Sequence, residues 1–479
     1  MKAEASGVSL LLDGDSRTSL WNAVTTFIES HLQSIERLPV SPSLTVADAR
    51  RIAESFTFEQ PLVAEEAFLR IASELVQGQV HTSHPQYFGL FNPAPTTMSI
   101  AADALVAALN PQLAAWSHSP LAVEIERHLV RSIAARFGFA LDQADGVLTS
   151  GGAEANQTAL LAALAYRWPT VAADGLRSLS EVPVFYVSSE GHHSFLKAAR
   201  TVGLGANALR QASVEEDLRI AVRTLRATIR RDRDGGYAPF LLVATAGTTG
   251  AGVVDALPEL ARVAQEEGLW FHVDAAWGGA AAFVPELRAV LDGIELADSI
   301  TFDPHKWLSV SMGAGMFLTR YPDLLGRLFA IQTSYMPKEG NRLAITDPFA
   351  HSLQWSRRFI GLKLFLSLAV AGWDGYAAVI GHQAQMGDLL RKRLAEEHWN
   401  IVNSTPLPLI CFCDPKTEDE DGACQRIADR VVASGEAWLS TVQLRPDKRP
   451  ALRACITNYR TEPRHIEALV AALNRARSY

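Results

Sequence analysis

Six short apolar runs, alternating with stretches of helical spacing, constrain this chain most. They cover residues 146–150, 182–188, 240–246, 269–275, 299–302 and 315–319. Between them, residues 154–168, 215–231 and 257–267 carry apolar side chains three and four apart, the spacing of one helix face. Strands that are apolar on both sides and alternate with helices need cover on both faces. The expectation is therefore an α/β fold built on a mostly parallel central sheet. The first eighty or so residues read as helices broken by Pro39, Pro42 and Pro61, an N-terminal helical arm over 1–83. A large domain over 84–374 follows. From Gly375 the pattern restarts as a long helix, a strand near 407–413, an acidic turn at 418–422, a strand at 451–458 and a last helix from His465. This predicts a small C-terminal α/β domain over 375–479, and the chain shows no internal repeat or low-complexity segment.

At 479 residues, with 48% hydrophobic and 20% charged residues, the chain can bury a large core. A net charge of −8 with no basic stripe argues against a nucleic-acid partner. The N-terminus has one early lysine, a short apolar run and acidic residues behind it, which is not the pattern of a signal peptide. The apolar stretch 359–373 is broken by Lys363, so no membrane span is expected. Cys411, Cys413, Cys424 and Cys455 form no C-x-x-C pair and read as reduced core thiols, with no metal site. A cytoplasmic protein is expected.

The chemistry starts from two residues. Asp274 ends the run Leu269-Trp-Phe-His-Val-Asp274, and Lys306 follows in Phe302-Asp-Pro-His-Lys306-Trp. A strand-end carboxylate with a later lysine is what a pyridoxal phosphate site needs. The amine forms a Schiff base, and the carboxylate keeps the pyridine nitrogen protonated so that the ring accepts electrons. Other pieces fall in order around them. Thr149-Ser-Gly-Gly-Ala-Glu-Ala-Asn156 ends a strand and opens a helix, where glycines and free N–H groups receive phosphate. His192, in Ser188-Ser-Glu-Gly-His192-His193, stands where an imidazole can lie flat on the ring and handle protons, whereas His193 reads as a surface residue. Ala276 is small enough to pack on the opposite ring face, and the hydroxyls of 245–249 can reach the ring oxygen or a substrate carboxylate. Gly203-Leu-Gly-Ala-Asn-Ala208 matches a dinucleotide fingerprint, but 194–202 reads as a helix instead of the required strand, so a nicotinamide-dependent oxidoreductase is rejected.

Taken together these motifs resemble the group II pyridoxal-phosphate-dependent amino-acid decarboxylases, which include the aromatic L-amino-acid, glutamate, histidine and cysteine sulfinate enzymes. The resemblance runs from His84-Pro-Gln-Tyr-Phe88 to Leu452-Arg-Ala-Cys-Ile-Thr-Asn458. It implies fold type I, the aspartate-aminotransferase-like fold, in an obligate homodimer with active sites at the subunit interface. It also implies that Lys306 is the Schiff-base lysine, Asp274 the pyridinium partner and His192 the stacking histidine. Gly152, Ala153 and His305 would lie near the phosphate and Thr249 near the ring. Tyr335 looks like the family's mobile-loop tyrosine, which protonates the carbanion after CO2 leaves. Lys338, Glu339, Gly340 and Arg342 suit such a loop. Similar enzymes that make aldehydes carry phenylalanine at that place.

Two features depart from the pattern. Asp303 stands where many members carry asparagine. A carboxylate is repelled by phosphate, so Asp303 is expected to turn toward another partner and is not assigned to the cofactor. The segments resembling the substrate-contacting regions hold Phe91, Asn92, Gln112 and Ala114, less aromatic than in the aromatic decarboxylases and suggestive of a more polar or roomier pocket. The activity expected is α-decarboxylation of an L-amino acid, aromatic by family frequency, to the amine and CO2. Aldehyde production by oxidative deamination, or decarboxylation of an acidic or small polar amino acid, is the alternative. A non-catalytic scaffold is disfavoured because Lys306, Asp274 and Tyr335 are all present.

Overall fold

The computed structural model describes residues 10–331, 333, 345–418, 420–445 and 447–478. Three helices lead: α1 (Gly14–Ser34), capped by the Asp13 carboxylate, α2 (Val46–Glu54), capped by Thr45, and α3 (Ala64–Gly78). No residue of α1 is buried, and Trp21 on it is 58% exposed. Then come α4 (Thr97–Leu109), closed by left-handed Asn110, and α5 (Pro120–Arg136).

Seven strands form the central sheet: β1 (Asp145–Thr149), β2 (Val182–Ser188), β3 (Leu209–Ala212), β4 (Tyr237–Thr245), β5 (Trp270–Asp274), β6 (Ser299–Phe302) and β7 (Gly315–Thr319). Their order is β1-β7-β6-β5-β4-β2-β3; β7 alone runs antiparallel to its neighbours and the other pairings are parallel. Helices cover both faces: α6 (Gly152–Arg167) and α7 (Ser194–Thr201) on one, α8 (Val222–Asp234) and α9 (Leu257–Glu267) with α5 on the other. Along β4 the side chains sort accordingly. Leu241 and Val243 join the cluster with Leu160 and Phe195, while Leu242 and Ala244 join that with Ile133, Ile229 and Leu260. Phe302 of β6, 1% exposed, meets Phe137 edge-on with ring centroids 5.5 Å apart and stacks near Phe283. Phe302→Ala is expected to cost about 3–5 kcal/mol of folding stability, measured by chemical denaturation.

The helix α10 (Gly361–Glu396) connects the two cores. It is long and apolar enough by composition to cross a membrane. Its backbone breaks at Gly372 (φ 65°), however, and Lys363 is buried within it. Leu362 and Leu366 pack on Ala102 and Val106 of α4, whereas Met386, Leu390 and Leu394 enter the C-terminal core. That core lies between α10, α11 (Ala423–Ala433), α12 (Pro463–Arg477) and an antiparallel sheet ordered β10-β11-β9-β8. Its strands are β8 (Asn400–Ile401), β9 (Leu409–Cys413), β10 (Ser440–Leu444) and β11 (Arg449–Cys455). All four cysteines are buried and free, and burial pushes the Cys411 and Cys455 thiols up to about 12, which leaves them unreactive near neutral pH.

Candidate active site

The carboxyl ends of β1, β2, β4, β5 and β6 share one edge of the sheet, the edge where open α/β sheets bind ligands. Lys306 leaves β6 through the turn at 303–305. Its Nζ lies 2.9 Å from Asp303 Oδ2 and 5.9 Å from the centroid of the Phe91 ring, and the side chain keeps 21% exposure. Asp303 is 1% exposed, and its Oδ1 has no hydrogen-bond partner among the described residues. A Cβ at Gly152 or at Gly315 would come within 2.7 Å of this carboxylate, so glycine at both positions leaves it room. The partner toward which Asp303 turns is thus Lys306.

Asp274 ends β5, 5% exposed, and accepts from Asn156 Nδ2 (2.9 Å) through one oxygen and from the Ala276 N–H (3.1 Å) through the other. Ala276 in turn accepts from the Asp303 N–H, which ties the Asp274 and Lys306 segments together. His192 follows β2; its Nδ1 accepts from the Ser194 N–H at 3.2 Å, and its ring opens to the cleft. Loss of hydration from the protein around it lowers its pKa, with the Asp274 charge opposing and Lys306 reinforcing, so the ring is neutral near pH 7. His193 is exposed.

Gly152 and Ala153 open α6, where the N–H groups of a helix's first residues have no intrahelical acceptor, while the Glu154 N–H already donates to the Gly151 carbonyl. The turn before it is fixed by Glu154, which accepts from the Ser150 N–H and hydroxyl and from Gln354 Nε2. His305 abuts this turn: a Cβ on Gly151 would lie 3.3 Å from its ring, and its Nδ1 lies 2.6 Å from the Ala314 carbonyl oxygen. Burial lowers the His305 pKa. Thr249 is half-buried, and its carbonyl accepts from Arg453.

Phe91 stacks on Trp277 with centroids 4.6 Å apart, on the side of the cleft that faces Lys306. Over its other environment stands the Arg453 guanidinium, 5.0 Å from the same centroid. Arg453 is 3% exposed and donates to the carbonyls of Thr249 (2.9 Å) and Gly89 (2.7 Å); among the described residues its Nη2 has no hydrogen-bond partner and no carboxylate forms an ion pair with it. This arginine of β11 therefore fastens the C-terminal sheet to two loops of the site. Arg453→Leu is expected to cost about 3 kcal/mol of stability in a denaturation experiment, because two buried carbonyls lose their donors.

Asn92 is half-buried beside Phe91, but Gln112 is exposed on the loop after α4 and donates to Ser356 Oγ at 3.2 Å. One chain does not bring Gln112 together with Lys306. Tyr335, Lys338, Glu339, Gly340 and Arg342 lie outside the described residues. A cavity of about 170 Å³ between α5 and β1, lined by Glu126, Arg131, Asp145, His351 and Arg357, contains none of the residues at the cleft. Sequence reasoning missed Asn156, Trp277 and Arg453. Asn156 closes the glycine-turn motif and was one residue type from notice; Arg453 carried no signal, since its site contacts are to backbone far away in sequence.

A lysine amine, a strand-end carboxylate, a neutral imidazole and a glycine turn at a helix N-terminus thus converge on one cleft. Residues 52–414 match the pyridoxal-dependent decarboxylase conserved domain. The chain belongs to that family. Members depend on pyridoxal phosphate, and the donor set at the cleft suits this group: an amine for its aldehyde, a carboxylate for its ring nitrogen and N–H groups for its phosphate. Curated relatives of this decarboxylase include an aromatic-L-amino-acid decarboxylase of Bacillus atrophaeus, 28% identical over 95% of this chain and 94% of the relative. Another is a 4-hydroxyphenylacetaldehyde synthase of Rhodiola rosea, 29% identical over 93% and 92%. Among solved structures, Oryza sativa TDC with PLP and tryptamine superposes with a TM-score of 0.89, at 25% identity, covering 98% of both chains.

Proposed function

We propose that the chain decarboxylates an aromatic L-amino acid at its α-carbon, giving the amine and CO2. The observation that carries this reading is the convergence of Lys306, Asp274 and His192 on one sheet edge beside the Phe91–Trp277 stack. Bound there, pyridoxal phosphate supplies an electron-accepting ring for the pair freed when the carboxylate departs. Lys306 would hold the cofactor through its amine, which lies beside Asp303. Asp274 would accept from the ring nitrogen, and His192 and Ala276 would flank the ring. Gly152, Ala153 and His305 would hold the phosphate, and Thr249 would stand near the ring. The apolar wall of Phe91 and Trp277 excludes water from the departing carboxylate and suits an aromatic side chain, with Asn92 at its margin. Tyr335 returns a proton to the α-carbon.

The same reading makes the enzyme a homodimer with Gln112 serving the partner's site. Support comes from apolar side chains left in solvent, Leu109 and Leu121 at 69% and 73% exposure, and from the uncovered arm helix α1. Four free buried cysteines suit the reducing cytoplasm.

Two further outcomes are supported by particular observations. The Rhodiola rosea relative favours aldehyde formation, in which amino acid, O2 and water give aldehyde, CO2, ammonia and peroxide. Arg453, buried without an acidic partner among the described residues, favours an acidic substrate drawn by its field. Purified protein with added pyridoxal phosphate, offered each of the twenty amino acids and assayed for CO2, amine, ammonia and peroxide, separates the three. Amine equal to CO2 from aromatic substrates is expected. Peroxide equal to CO2 would replace the reaction type, and turnover confined to aspartate or glutamate would replace the substrate class.

A further inference from the structure

Behind Asp274 a line of buried polar side chains crosses the sheet interior. At its far end Trp270 Nε1 donates to Ser299 Oγ at 2.8 Å. Ser299 Oγ is also 2.8 Å from His272 Nδ1. His272 Nε2 lies 3.3 Å from Thr301 Oγ1 and 3.4 Å from Asn156 Oδ1, and Thr301 Oγ1 donates to that same Oδ1 at 2.7 Å. Asn156 Nδ2 then donates to Asp274 Oδ2 and to Ser194 Oγ, each at 2.9 Å. Ser299, His272 and Thr301 are fully enclosed, and Asn156 is 1% exposed.

The donor inventory orients every link. The Trp270 indole only donates, so the Ser299 hydroxyl proton is free to pass to His272 Nδ1. His272 Nε2 faces an amide oxygen already receiving the Thr301 hydroxyl, which requires the proton on Nε2. Burial lowers the His272 pKa to about 4, so the ring carries one proton near neutral pH and Nδ1 accepts. With Oδ1 of Asn156 accepting, its amide protons point at Asp274 and Ser194. Each dipole in the line presents its positive end toward Asp274, and such aligned chains polarise one another in a dry interior.

We propose that Asn156, oriented through His272 and Ser299, is a positioning residue that holds Asp274 as an acceptor for the cofactor ring nitrogen. This rests on the cofactor reading above. Asn156 fixes one carboxylate oxygen and the Ala276 N–H fixes the other, so the remaining lone pairs face the cleft, where His192 is the titratable group that feels the Asp274 charge, with Lys306, His193 and Asp303 acting on the same imidazole. His272 is the titratable group from the strand side.

The test uses the full chain reconstituted with pyridoxal phosphate. Affinity is read by fluorescence titration, and the visible absorbance of the bound cofactor is followed against pH. Asn156→Ala is expected to weaken cofactor binding roughly tenfold, the scale of one charge-assisted hydrogen bond, and to move the pH profile of the absorbance. Ser299→Ala, remote from the cleft, moves the profile the same way by less, while His272→Gln, which keeps a donor facing Asn156, stays closer to wild type than His272→Phe. A role confined to packing would lower the melting temperature and leave affinity and profile in place. Wild-type affinity and profile in Asn156→Ala overturn the proposal, as they do in Ser299→Ala if the first variant does not fold. A wild-type protein that binds no pyridoxal phosphate overturns the cofactor reading along with it, whereas normal wild-type binding with unmoved variants overturns this inference alone.

Discussion

Lys306→Ala is expected to lower turnover by at least about 10³-fold and to leave the reconstituted protein without the visible absorbance of covalently held cofactor. The amine that makes the bond must reach the cleft, stay reactive and sit close to the groups that hold the ring. Lys306 meets each condition: it retains part of its exposure, touches Asp303 and lies over the Phe91 ring. Arg453, a second cation over the Phe91 ring, is a guanidinium committed to two carbonyls and cannot substitute for it. Lys306→Arg is expected to lose turnover equally, because positive charge alone does not form the bond. The two variants should fold, since the side chain is partly exposed and its removal opens no large cavity. Absorbance spectra before and after borohydride reduction, with CO2 release as the activity readout, check the assignment. An active Lys306→Ala protein that retains covalently held cofactor would remove the chemical basis of the proposed function.

How much of this was legible beforehand depended on where each signal is stored. Central strands such as β4 and β5 bury both faces, so continuous apolar runs announced them. The edge strands β3 (Leu209–Ala212) and β10 (Ser440–Leu444) were not foreseen, because a half-exposed edge keeps arginine, glutamine and serine in the pattern. The helix expected from residue 215 begins at Val222. Asp255 explains the delay: its carboxylate, fully enclosed with its pKa raised to about 6 by burial, accepts from the Ile220 and Thr245 N–H groups and pins the preceding segment as a turn. At the site, Lys306 and Asp274 could be read because each stands in a distinctive local motif. Asn156 meets Asp274 only because α6 lies across β5 and β6, and Arg453 meets Phe91 only because the C-terminal sheet docks beside the cleft. Neither relation has a local spacing to betray it.

Asp274→Asn is the second change with a large expected effect: about a 10²–10³-fold loss of kcat, with a cofactor Kd raised about tenfold or more. The substitution keeps the shape, and its side-chain oxygen can still accept from Asn156, so the fold and the cleft should survive. What it removes is a negative charge held in place by two donors before the reaction begins. Such a preorganised charge favours the electron-accepting form of the ring throughout, and its loss is felt most where the ring carries the extra electron pair. The expected signature is therefore a fall in single-turnover CO2 release larger than the fall in cofactor affinity. Asp274→Glu, which keeps the charge but lengthens the arm in a site fixed by Asn156 and the Ala276 N–H, should recover part of the rate. If Asp274→Asn releases CO2 at the wild-type rate with cofactor saturating, the carboxylate is a structural cap of β5 and the electron acceptor is sustained by some other group.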